Sequence, residues 1–408
     1  MLIAVASLVY AWRGGDFPGL DFYQFWAGAQ LAPEGGRFYN PELPREQYRL
    51  FYERASALEP SGRMTEVASA RDRFDFSATP FLYAAFGVFG ERYERDLFIY
   101  RVLTLAAFCG GVLLFARAAG LSWAASSMLL AFTLTLFQPL KSEMRVGNVN
   151  SLQLFAIALA VWLARERDRR RAIATGALLA IVTAFKPNLA FVVPLLLAYR
   201  LITRDRLRLL WETIGAAVGA AFAVLVSSVY FRSFDCWIDW LSAARGVTTT
   251  VQPLSSGNVA PFLALATKYG PTAMYAIAAV LLAVIIAALW CGARLRRAFA
   301  SPRGAPEART TPADLTPFVV ALALLVYLLS ATLVWLHYLI LAVPAAIALI
   351  ADTTSGTRRF IGILALTLIG DDLWLSLFGV HTASGEAVIL WSGLALLFSA
   401  SLWRLSTR

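Results

Sequence analysis

Residues 315–350 read LTPFVVALALLVYLLSATLVWLHYLILAVPAAIALI and contain no Asp, Glu, Lys or Arg. A helix needs about 20 apolar residues to cross the hydrocarbon core of a bilayer, so this stretch predicts two membrane helices or one helix with a break. The apolar residues are continuous rather than alternating, which favours helices over a transmembrane β-barrel. The stretch therefore indicates a protein that crosses the membrane with α-helices.

The rest of the chain carries further apolar runs of similar length. Hydrophobic residues make up 59% of the 408 residues and charged residues only 15%, and the mean hydropathy is +0.64, far above that of soluble domains. We therefore predict an all-α polytopic membrane protein, built as a bundle of transmembrane helices. The other runs lie at about 97–116, 121–140, 210–230, 271–292, 360–379 and 386–403.

The net charge of +10 comes from basic clusters between the apolar runs. Such clusters are typical of cytoplasmic loops that face anionic headgroups. The sequence therefore indicates that these basic residues contact membrane lipids and do not bind nucleic acid. Three widely spaced cysteines indicate neither a disulfide framework nor a metal site. The clusters assigned to the cytoplasm are RERDRRR (165–171), RLITRDRLR (200–208), RLRRAFASPRGAPEAR (294–309), Arg358 with Arg359, and RLSTR (404–408).

Two long segments are then predicted to lie outside the membrane, the first outer loop at 13–76 and a second one at 231–270. Loops of this length without linker composition usually carry function or small helices of their own. Trp and Tyr in the second loop suit helices that lie at headgroup level. The opening run MLIAVASLVYAW (1–12) lacks the basic start and cleavage site of a signal peptide, so it is interpreted as a first membrane helix.

Two segments are too short to cross the bilayer as simple helices. Between the basic clusters that end at 171 and begin at 200 there is room for two helices of only about 20 Å each. At their junction, FKPNL (185–189), Pro187 ends the first helix and leaves Lys186 at membrane depth or near the outer face. These helices are predicted to be short or broken. For ATPFLYAAFGVFG (78–90) the pattern leaves open whether the segment crosses or re-enters.

Asp21 lies among the rings of LDFYQFW (20–26), just after the first predicted helix. In one interpretation, this acid and Asp16 mark only the aqueous interface. In the other, the rings partly desolvate the Asp21 carboxylate, which suits it to take a proton from a hydroxyl. Spacing alone does not decide between the two.

The segment LKSEMRVGNVNS (140–151) places charged residues, a glycine and two amides before an apolar helix. Asn148 or Asn150 is interpreted either as the N-cap of that helix, after a turn glycine, or as part of a binding site. Amides, a guanidinium and backbone N–H groups at a helix N-terminus suit a phosphate or a sugar. Arg145 is the preferred phosphate partner.

His337 lies well inside the apolar stretch 315–350 and is one of only two histidines, the other being His381. An ionisable group at membrane depth indicates function, although a hydrogen-bonded imidazole packed in the core is the structural alternative. Trp335 and Tyr338 supply rings that either stack against a sugar or belong to an interfacial belt.

The sequence lacks the motifs of soluble nucleotide-dependent enzymes. It contains no P-loop, no dinucleotide-binding glycine fingerprint, no metal-spaced His and Cys cluster and no G-x-S-x-G. An enzyme with an outer active site needs a donor that reaches that side, and a lipid-linked donor meets this requirement.

Seven short motifs follow one another along residues 15–350, in an order that resembles glycosyltransferase family 87. This is a family of GT-C-fold membrane transferases best known as polyprenyl-phosphate-mannose-dependent α-1,2-mannosyltransferases. The motifs are GLDFYQFWAGAQLA (19–32), FYN (38–40), FDFSATPFLYAAFGVFG (74–90), RVGNVNSLQLFAIALAV (145–161), AFKPNLAFVVPLLL (184–197), SSGNVAPFLAL (255–265) and WLHYLILAVPAAIAL (335–349).

The resemblance implies roles for individual residues. Asp21 matches the aspartate of the first loop, the proposed general base that deprotonates the acceptor hydroxyl. Gly147, Asn148 and Asn150 match a Gly-Gln-x-Asn signature, with Asn148 where glutamine is usual, which shortens a polar arm. These residues would contact the donor.

Further matches complete the implied site. Lys186 corresponds to the Lys-Pro element, Asn258 to a Gly-Asn-x-Ser segment, and His337, with Trp335 two residues before it, to a Trp-x-His element. Positive charge has to stabilise the departing phosphate, and Arg145, Lys186, Arg245 or a protonated His337 could supply it. No second acid is paired closely with Asp21 in the sequence, so neither a metal nor a cofactor is expected.

The resemblance implies an inverting hexosyltransferase, with mannose as the first candidate sugar. It would use a polyprenyl-phosphate donor and a lipid or glycan acceptor at the outer face of the plasma membrane. A transporter or flippase for a lipid-linked or anionic substrate is the alternative, and an assembly partner without catalysis is a third interpretation. The catalytic module is predicted at 1–350, with helices that complete the bundle at 351–408; the oligomeric state stays open.

Overall fold

The computed structural model describes residues 9, 12, 17–34, 38–39, 45–70, 78–247, 253–254, 257–298, 315–370, 374 and 383–406. Within these ranges the regular structure is helical and contains no strand, which confirms the predicted all-α fold. The helices are α1 (Leu20–Leu31), α2 (Arg45–Leu58), α3 (Gly62–Ala70), α4 (Pro80–Phe86), α5 (Tyr93–Ala118), α6 (Trp123–Leu136), α7 (Gln138–Val146), α8 (Asn150–Leu163), α9 (Arg169–Phe185), α10 (Val192–Thr203), α11 (Arg206–Phe231), α12 (Cys236–Val247), α13 (Leu263–Tyr269), α14 (Thr272–Ala298), α15 (Thr316–Ser330), α16 (Val343–Ile350), α17 (Gly356–Gly370) and α18 (Ala383–Ser406).

Four of the helices in the described ranges are long and apolar enough to cross a membrane. They are α5, α11, the Thr272–Leu295 part of α14 and the Ser384–Ser406 part of α18. Helices α6 and α7 meet at a bend of 62° and make a fifth candidate if the pair is one span. The predicted polytopic helix bundle is confirmed.

The helix break predicted at Pro187 is present. Helix α9 ends at Phe185, Lys186 is extended, a 3₁₀ turn follows at Pro187–Leu189, and α10 begins at Val192. Proline has no N–H to donate and its ring clashes with the preceding helical turn, so α9 cannot continue through this position. The break leaves the Lys186 side chain free to turn away from both helix axes.

A second break divides the stretch 315–350, as one of the two predicted arrangements requires. Helix α15 ends at Ser330, residues 331–335 are not helical, and a 3₁₀ segment over Leu336–Ala342 leads into α16. His337 lies in this 3₁₀ segment and has only 4% of its surface exposed. The break therefore places an ionisable side chain inside an apolar bundle.

Within residues 78–90, the α-helical part is α4. Its seven residues rise about 10 Å, too little to cross a bilayer. Thr79 caps this helix by accepting a hydrogen bond from Leu82 N. The Thr79 hydroxyl also lies 2.5 Å from the Ala184 carbonyl and 3.0 Å from that of Phe185, which ties α4 to the end of α9.

The first predicted outer loop contains the three helices α1 to α3. A loop of this length is expected to carry function or small helices of its own. Helix α1 is almost fully buried, and Phe22, Tyr23 and Trp26 are at most 1% exposed. Trp26 Nε1 donates a 3.1 Å hydrogen bond to Asp96 on α5, so the rings around Asp21 form a packed core. Asp16, His381 and most of the predicted first helix at 1–12 lie outside the described residues.

Helices α9 and α11 pack closely through glycines. A Cβ atom added at Gly176 would lie 2.0 Å from the Glu212 carbonyl oxygen, and one added at Gly219 would lie 2.3 Å from that of Ala177. Small residues let helix backbones approach closely in membrane proteins, where dispersion and packing replace the hydrophobic effect between helices. This contact fixes α9, whose end carries Lys186, against the long helix α11.

Buried ion pairs lie far from α1 along the bundle. Glu212 accepts hydrogen bonds from Arg200 at 3.0 Å and from Arg208 at 3.0 Å. Eighteen residues later on the same helix, Tyr230 donates to the Ala29 carbonyl of α1. A helix rises 1.5 Å per residue, so the ion pairs lie about 27 Å from the α1 end of the molecule.

Candidate active site

Asp21 stands in the first turn of α1, where a helix dipole favours a carboxylate. The preceding Gly19 has a φ of +80°, and a Cβ there would meet Leu97 Cδ1 at 2.9 Å, so this turn requires glycine. The Asp21 side chain keeps 18% of its surface exposed, whereas the ring of the next residue, Phe22, is fully buried. The chain thus presents one carboxylate at the edge of an aromatic core.

The turn between α7 and α8 brings Asn148 to this carboxylate. Gly147 has a φ of +73°, and a Cβ there would lie 2.6 Å from Phe22 Cβ, so the turn packs directly on α1. Asn148 Nδ2 donates a 2.7 Å hydrogen bond to Asp21 Oδ2. Tyr100 on α5 donates from its hydroxyl to the Asn148 carbonyl at 2.6 Å, which fixes the backbone of the turn.

Lys186 contacts the other end of the same amide. Its Nζ donates a 3.0 Å hydrogen bond to Asn148 Oδ1 and lies 4.0 Å from the centroid of the Tyr338 ring. A cation over an aromatic face is attracted by the negative face of the ring. The helix break before Pro187 thus places a positive charge one side chain away from Asp21.

His337 approaches Asp21 from the second helix break. Its Nε2 lies 3.6 Å from Asp21 Oδ2, and its Nδ1 lies 3.5 Å from the Ser142 hydroxyl oxygen. The imidazole packs edge-on against Tyr338 with the ring centroids 4.8 Å apart. A distance of 3.6 Å is longer than a hydrogen bond, but a small shift would join the two groups.

Asn150 belongs to the same cluster through a buried acid, Glu143. Asn150 Nδ2 donates to Glu143 Oε2 at 2.9 Å, and the backbone N–H of Ser151 donates to Glu143 Oε1 at 3.0 Å. The N-cap residue of α8 is Val149, whose own side chain makes no capping hydrogen bond. The interpretation of Asn148 or Asn150 as an N-cap is therefore wrong, because the Glu143 carboxylate takes that place.

Arg145 lies apart from the contacts around Asp21. Its side chain is exposed, and its guanidinium carbon lies 4.1 Å from the ring centroid of Phe17, four residues before the carboxylate. The structure thus places Arg145 beside the chain that enters α1. Its contact with a phosphate stays a prediction.

Asn258 and Trp335 lie beside the second break. Asn258 is fully buried, donates to the Thr332 carbonyl at 2.9 Å and accepts from Val334 N at 2.9 Å. Trp335 is half-buried and packs near Gly257, where an added Cβ would lie 3.4 Å from the indole. The amide of Asn258 thus holds the chain that leads to His337, and its contact with a donor stays a prediction.

Two polar residues of the site, Ser142 and Glu143, lie in the candidate segment 140–151 but were given no role from the sequence. In α7 the residues Leu140, Glu143 and Met144 share one face at helical spacing, and all three are buried. An acid between two apolar residues on a buried face was the signal that could have identified Glu143. Glu143 and Asp21 are separated by the amides of Asn150 and Asn148.

The cluster suits acid–base chemistry with charge stabilisation. It combines a partly exposed carboxylate, a buried imidazole and a lysine held by an amide and a ring. Among the described residues, no group of three or more His, Cys, Asp or Glu side chains has the arrangement of a metal site. The expectation that no metal takes part stays a prediction.

The model of glycosyltransferase family 87 matches residues 78–306, more than half of the chain. The match includes Lys186 and the asparagines of the site, and it begins after Asp21 and ends before His337. Comparisons with curated proteins and with solved structures gave no match. The family match and the apolar helices together identify a membrane glycosyltransferase, and the chain belongs to glycosyltransferase family 87.

Proposed function

We propose that the chain transfers a hexose, with mannose as the first candidate, from a polyprenyl-phosphate donor to a hydroxyl group of a lipid or glycan acceptor. The transfer inverts the anomeric centre and takes place at the outer face of the plasma membrane. One observation carries the proposal. The partly exposed Asp21 carboxylate accepts a hydrogen bond from the Asn148 amide and lies 3.6 Å from the His337 imidazole, and the same amide accepts from Lys186.

Asp21 acts as the general base. A catalytic base has to reach the proton that it removes, and Asp21 keeps an exposed face while Asn148 holds its Oδ2 atom. The hydrogen bond from Asn148 Nδ2 fixes the orientation of the carboxylate, so that an acceptor hydroxyl meets a positioned base.

The step balances without a cofactor. The acceptor O–H gives its proton to Asp21 as the oxygen attacks the anomeric carbon of the donor. The bond from that carbon to the phosphate oxygen breaks, and the electron pair leaves with the polyprenyl phosphate. Negative charge grows on the departing phosphate, and Lys186, which donates to the same amide that holds Asp21, can stabilise it.

Arg145 and His337 have distinct roles. Arg145 is exposed at the chain that enters α1, and its guanidinium suits a phosphate that arrives from the membrane surface. His337 faces the same Asp21 oxygen as Asn148, so it can receive the proton from Asp21 after transfer. Tyr338 holds Lys186 by its ring face, and Trp335 offers a half-exposed ring at the break before His337.

The charges along α9 support an outer active site. The helix begins at Arg169, next to a basic cluster, and ends just before Lys186, and its 17 residues rise about 26 Å. Short basic connections face the cytoplasm in membrane proteins. The site at the opposite end of α9 therefore faces outward in this proposal.

Transfer from defined donors tests the proposal. The purified protein is given short-chain polyprenyl phosphates that carry labelled mannose, glucose or arabinose, together with extracted membrane lipids. We expect label in a lipid or glycan product, with a configuration opposite to that of the donor. Retention of configuration would contradict the direct displacement. Movement of the intact lipid-linked sugar across a vesicle membrane, without transfer, would support the flippase alternative.

A further inference from the structure

Glu143 is the buried acid that the proposed mechanism does not use. It has no exposed surface and lies on α7, one turn before the Gly147 turn that carries Asn148. A buried carboxylate is costly unless its oxygens are hydrogen-bonded. Both oxygens of Glu143 accept N–H donors, from Asn150 Nδ2 and from the backbone of Ser151. Donors on both oxygens are the arrangement that an ionised carboxylate requires.

The hydrogen bonds continue from Glu143 to Asp21 through two amides. Asn150 Nδ2 donates to Glu143 Oε2 at 2.9 Å and also lies 3.4 Å from Asn148 Oδ1. Asn148 in turn donates from Nδ2 to Asp21 Oδ2 at 2.7 Å. We name this series of contacts, Glu143 to Asn150 to Asn148 to Asp21, the amide chain.

Glu143, at the buried end of the amide chain, decides which way the oxygen and the NH₂ group of each amide face. An ionised carboxylate accepts only, so Asn150 has to turn its NH₂ group toward Glu143. The same NH₂ group then faces Asn148 Oδ1, which also accepts from Val149 N at 2.7 Å and from Lys186 Nζ. Because Asn148 Oδ1 accepts from these donors, the Nδ2 group of Asn148 is the one that faces Asp21 and donates to it.

We propose that Glu143 is a positioning residue that sets the direction of the amide chain and thereby keeps an N–H donor on Asp21. Glu143 does not touch the substrate; it acts through Asn150 and Asn148. The catalytic meaning of this proposal rests on the proposed role of Asp21 as the base.

A neutral side chain at position 143 would remove this control. In Glu143→Gln, the new NH₂ group faces the Asn150 NH₂ group unless one of the two amides turns. If Asn150 turns, its oxygen meets Asn148 Oδ1 at about 3.4 Å and the two oxygens repel each other. If instead the new side chain turns its oxygen to Asn150, its NH₂ group faces the Ser151 N–H and that buried donor loses its acceptor. The backbone of Ser151 cannot turn to avoid this, so we expect Asn150 to turn and to disturb the amide that holds Asp21, although the volume of the side chain is unchanged.

The exchange variant Glu143→Gln/Asn150→Asp separates positioning from structure. It again pairs a carboxylate with an amide between positions 143 and 150. If Glu143 served only to stabilise the fold, the labelling rate of Asp21 and kcat would therefore return to their wild-type values. The exchange reverses the direction of the chain, because the new aspartate places a carboxylate oxygen toward Asn148 Oδ1. Gln153→Met is the matched control, because Gln153 is a buried polar residue on α8 that pairs with Asn188 outside the amide chain.

Two readouts are measured on folded protein in detergent, with folding checked by gel filtration and thermal midpoint. The first is the rate at which a small carbodiimide labels Asp21, followed by peptide mass spectrometry; this reagent attacks protonated carboxyl groups, and the partly exposed Asp21 is accessible to it. The second is kcat and the donor KM for hexose transfer across a range of pH. The labelling readout does not depend on transfer, so it tests Glu143 even if the proposed function fails.

We expect Glu143→Gln and the exchange variant to label Asp21 about tenfold faster than wild type, the effect of one lost hydrogen bond to a charged group. We expect kcat to fall by about the same factor, with its acidic limb moved to higher pH and the donor KM unchanged. Gln153→Met should match wild type in both readouts. Wild-type labelling of Asp21 in Glu143→Gln, or rescue of labelling and kcat by the exchange, would overturn the proposal.

Discussion

At the scale of single residues, the site is organised around one short amide side chain. Asn148 contacts the carboxylate of Asp21 with its nitrogen and the ammonium of Lys186 with its oxygen. It thereby links a carboxylate and an ammonium group through one amide. A base and a phosphate-binding cation can then act on different parts of one substrate.

Arg145→Ala is expected to raise the donor KM by about tenfold, because a charge-assisted contact to phosphate is lost, while the acceptor KM stays unchanged. Steady-state kinetics with each substrate varied in turn measures this. Arg49→Ala is the control, because Arg49 is an exposed arginine of α2 that pairs with Glu53. Equal donor KM values for Arg145→Ala and Arg49→Ala would contradict the phosphate role of Arg145.

His337→Gln is expected to lower kcat by about tenfold or more, because glutamine fills a similar volume but cannot take a proton from Asp21. The protein should remain folded, since the polar contacts of the imidazole, to Asp21 at 3.6 Å and to Ser142 at 3.5 Å, are long. Turnover per folded molecule is the measurement. An unchanged kcat, at a wild-type yield of folded protein, would mean that His337 only packs in the core.

At the scale of elements, two helix breaks bring the charges together. The break before Pro187 delivers Lys186, and the break after α15 delivers His337. A side chain hydrogen-bonds the exposed backbone at each break. Thr79 donates to the carbonyls at the end of α9, and Asn258 bonds to the backbone of residues 332 and 334. Backbone that is not helical is tolerated at membrane depth only when protein satisfies it, and these side chains meet that need.

Gly176→Ala is expected to destabilise the protein by about 1–3 kcal/mol, because the added methyl group has to displace the backbone of α11. Gly356→Ala is the control, since an added Cβ there has no neighbour within 4 Å. Thermal unfolding in detergent compares the two. A Gly176→Ala protein as stable as Gly356→Ala would mean that α9 and α11 do not pack as described.

At the scale of the whole molecule, polar groups concentrate at two places with different purposes. Around Asp21 they include a partly exposed carboxylate, whereas near the starts of α11, α15 and α17 acids and arginines are buried in pairs. Asp352 illustrates the second kind, because it accepts from Arg358 at 2.6 Å and pairs with Arg404 at 3.3 Å. These contacts tie the turn between α16 and α17 to the end of α18.

Asp352→Asn is expected to lower the stability at neutral pH by on the order of 3 kcal/mol, because it leaves buried arginines without their anion. Burial opposes ionisation of Asp352, but hydrogen bonds from Thr354 and Arg358 and the charge of Arg404 more than offset this and lower its pKa. A lowered folded pKa contributes stability above the unfolded value of about 4, and this stability is lost as the pH falls through the folded pKa. The difference in thermal midpoint between wild type and Asp352→Asn should therefore shrink below about pH 4. A constant difference would contradict this.

Much of the fold could be predicted from the sequence, because membrane spans and breaks follow from local composition. Pro187 and the polar residues near 331 mark both breaks, and Lys186 and His337 stand out because charge is rare in apolar runs. The site was predicted only in part. The spacing of apolar residues in α7 marks Glu143 as buried, but the contacts that link it to Asp21 and the bend between α6 and α7 depend on the tertiary structure.

Asp21 is proposed to remove the proton of the acceptor, and single-turnover transfer by Asp21→Asn tests this role. Asparagine keeps the size and polarity of the side chain but accepts no proton. We expect donor binding within about twofold of wild type and transfer slower by about a hundredfold or more. Asp239→Asn, at an exposed acid on α12 outside the cluster, should transfer at the wild-type rate. Wild-type transfer by Asp21→Asn would contradict the account.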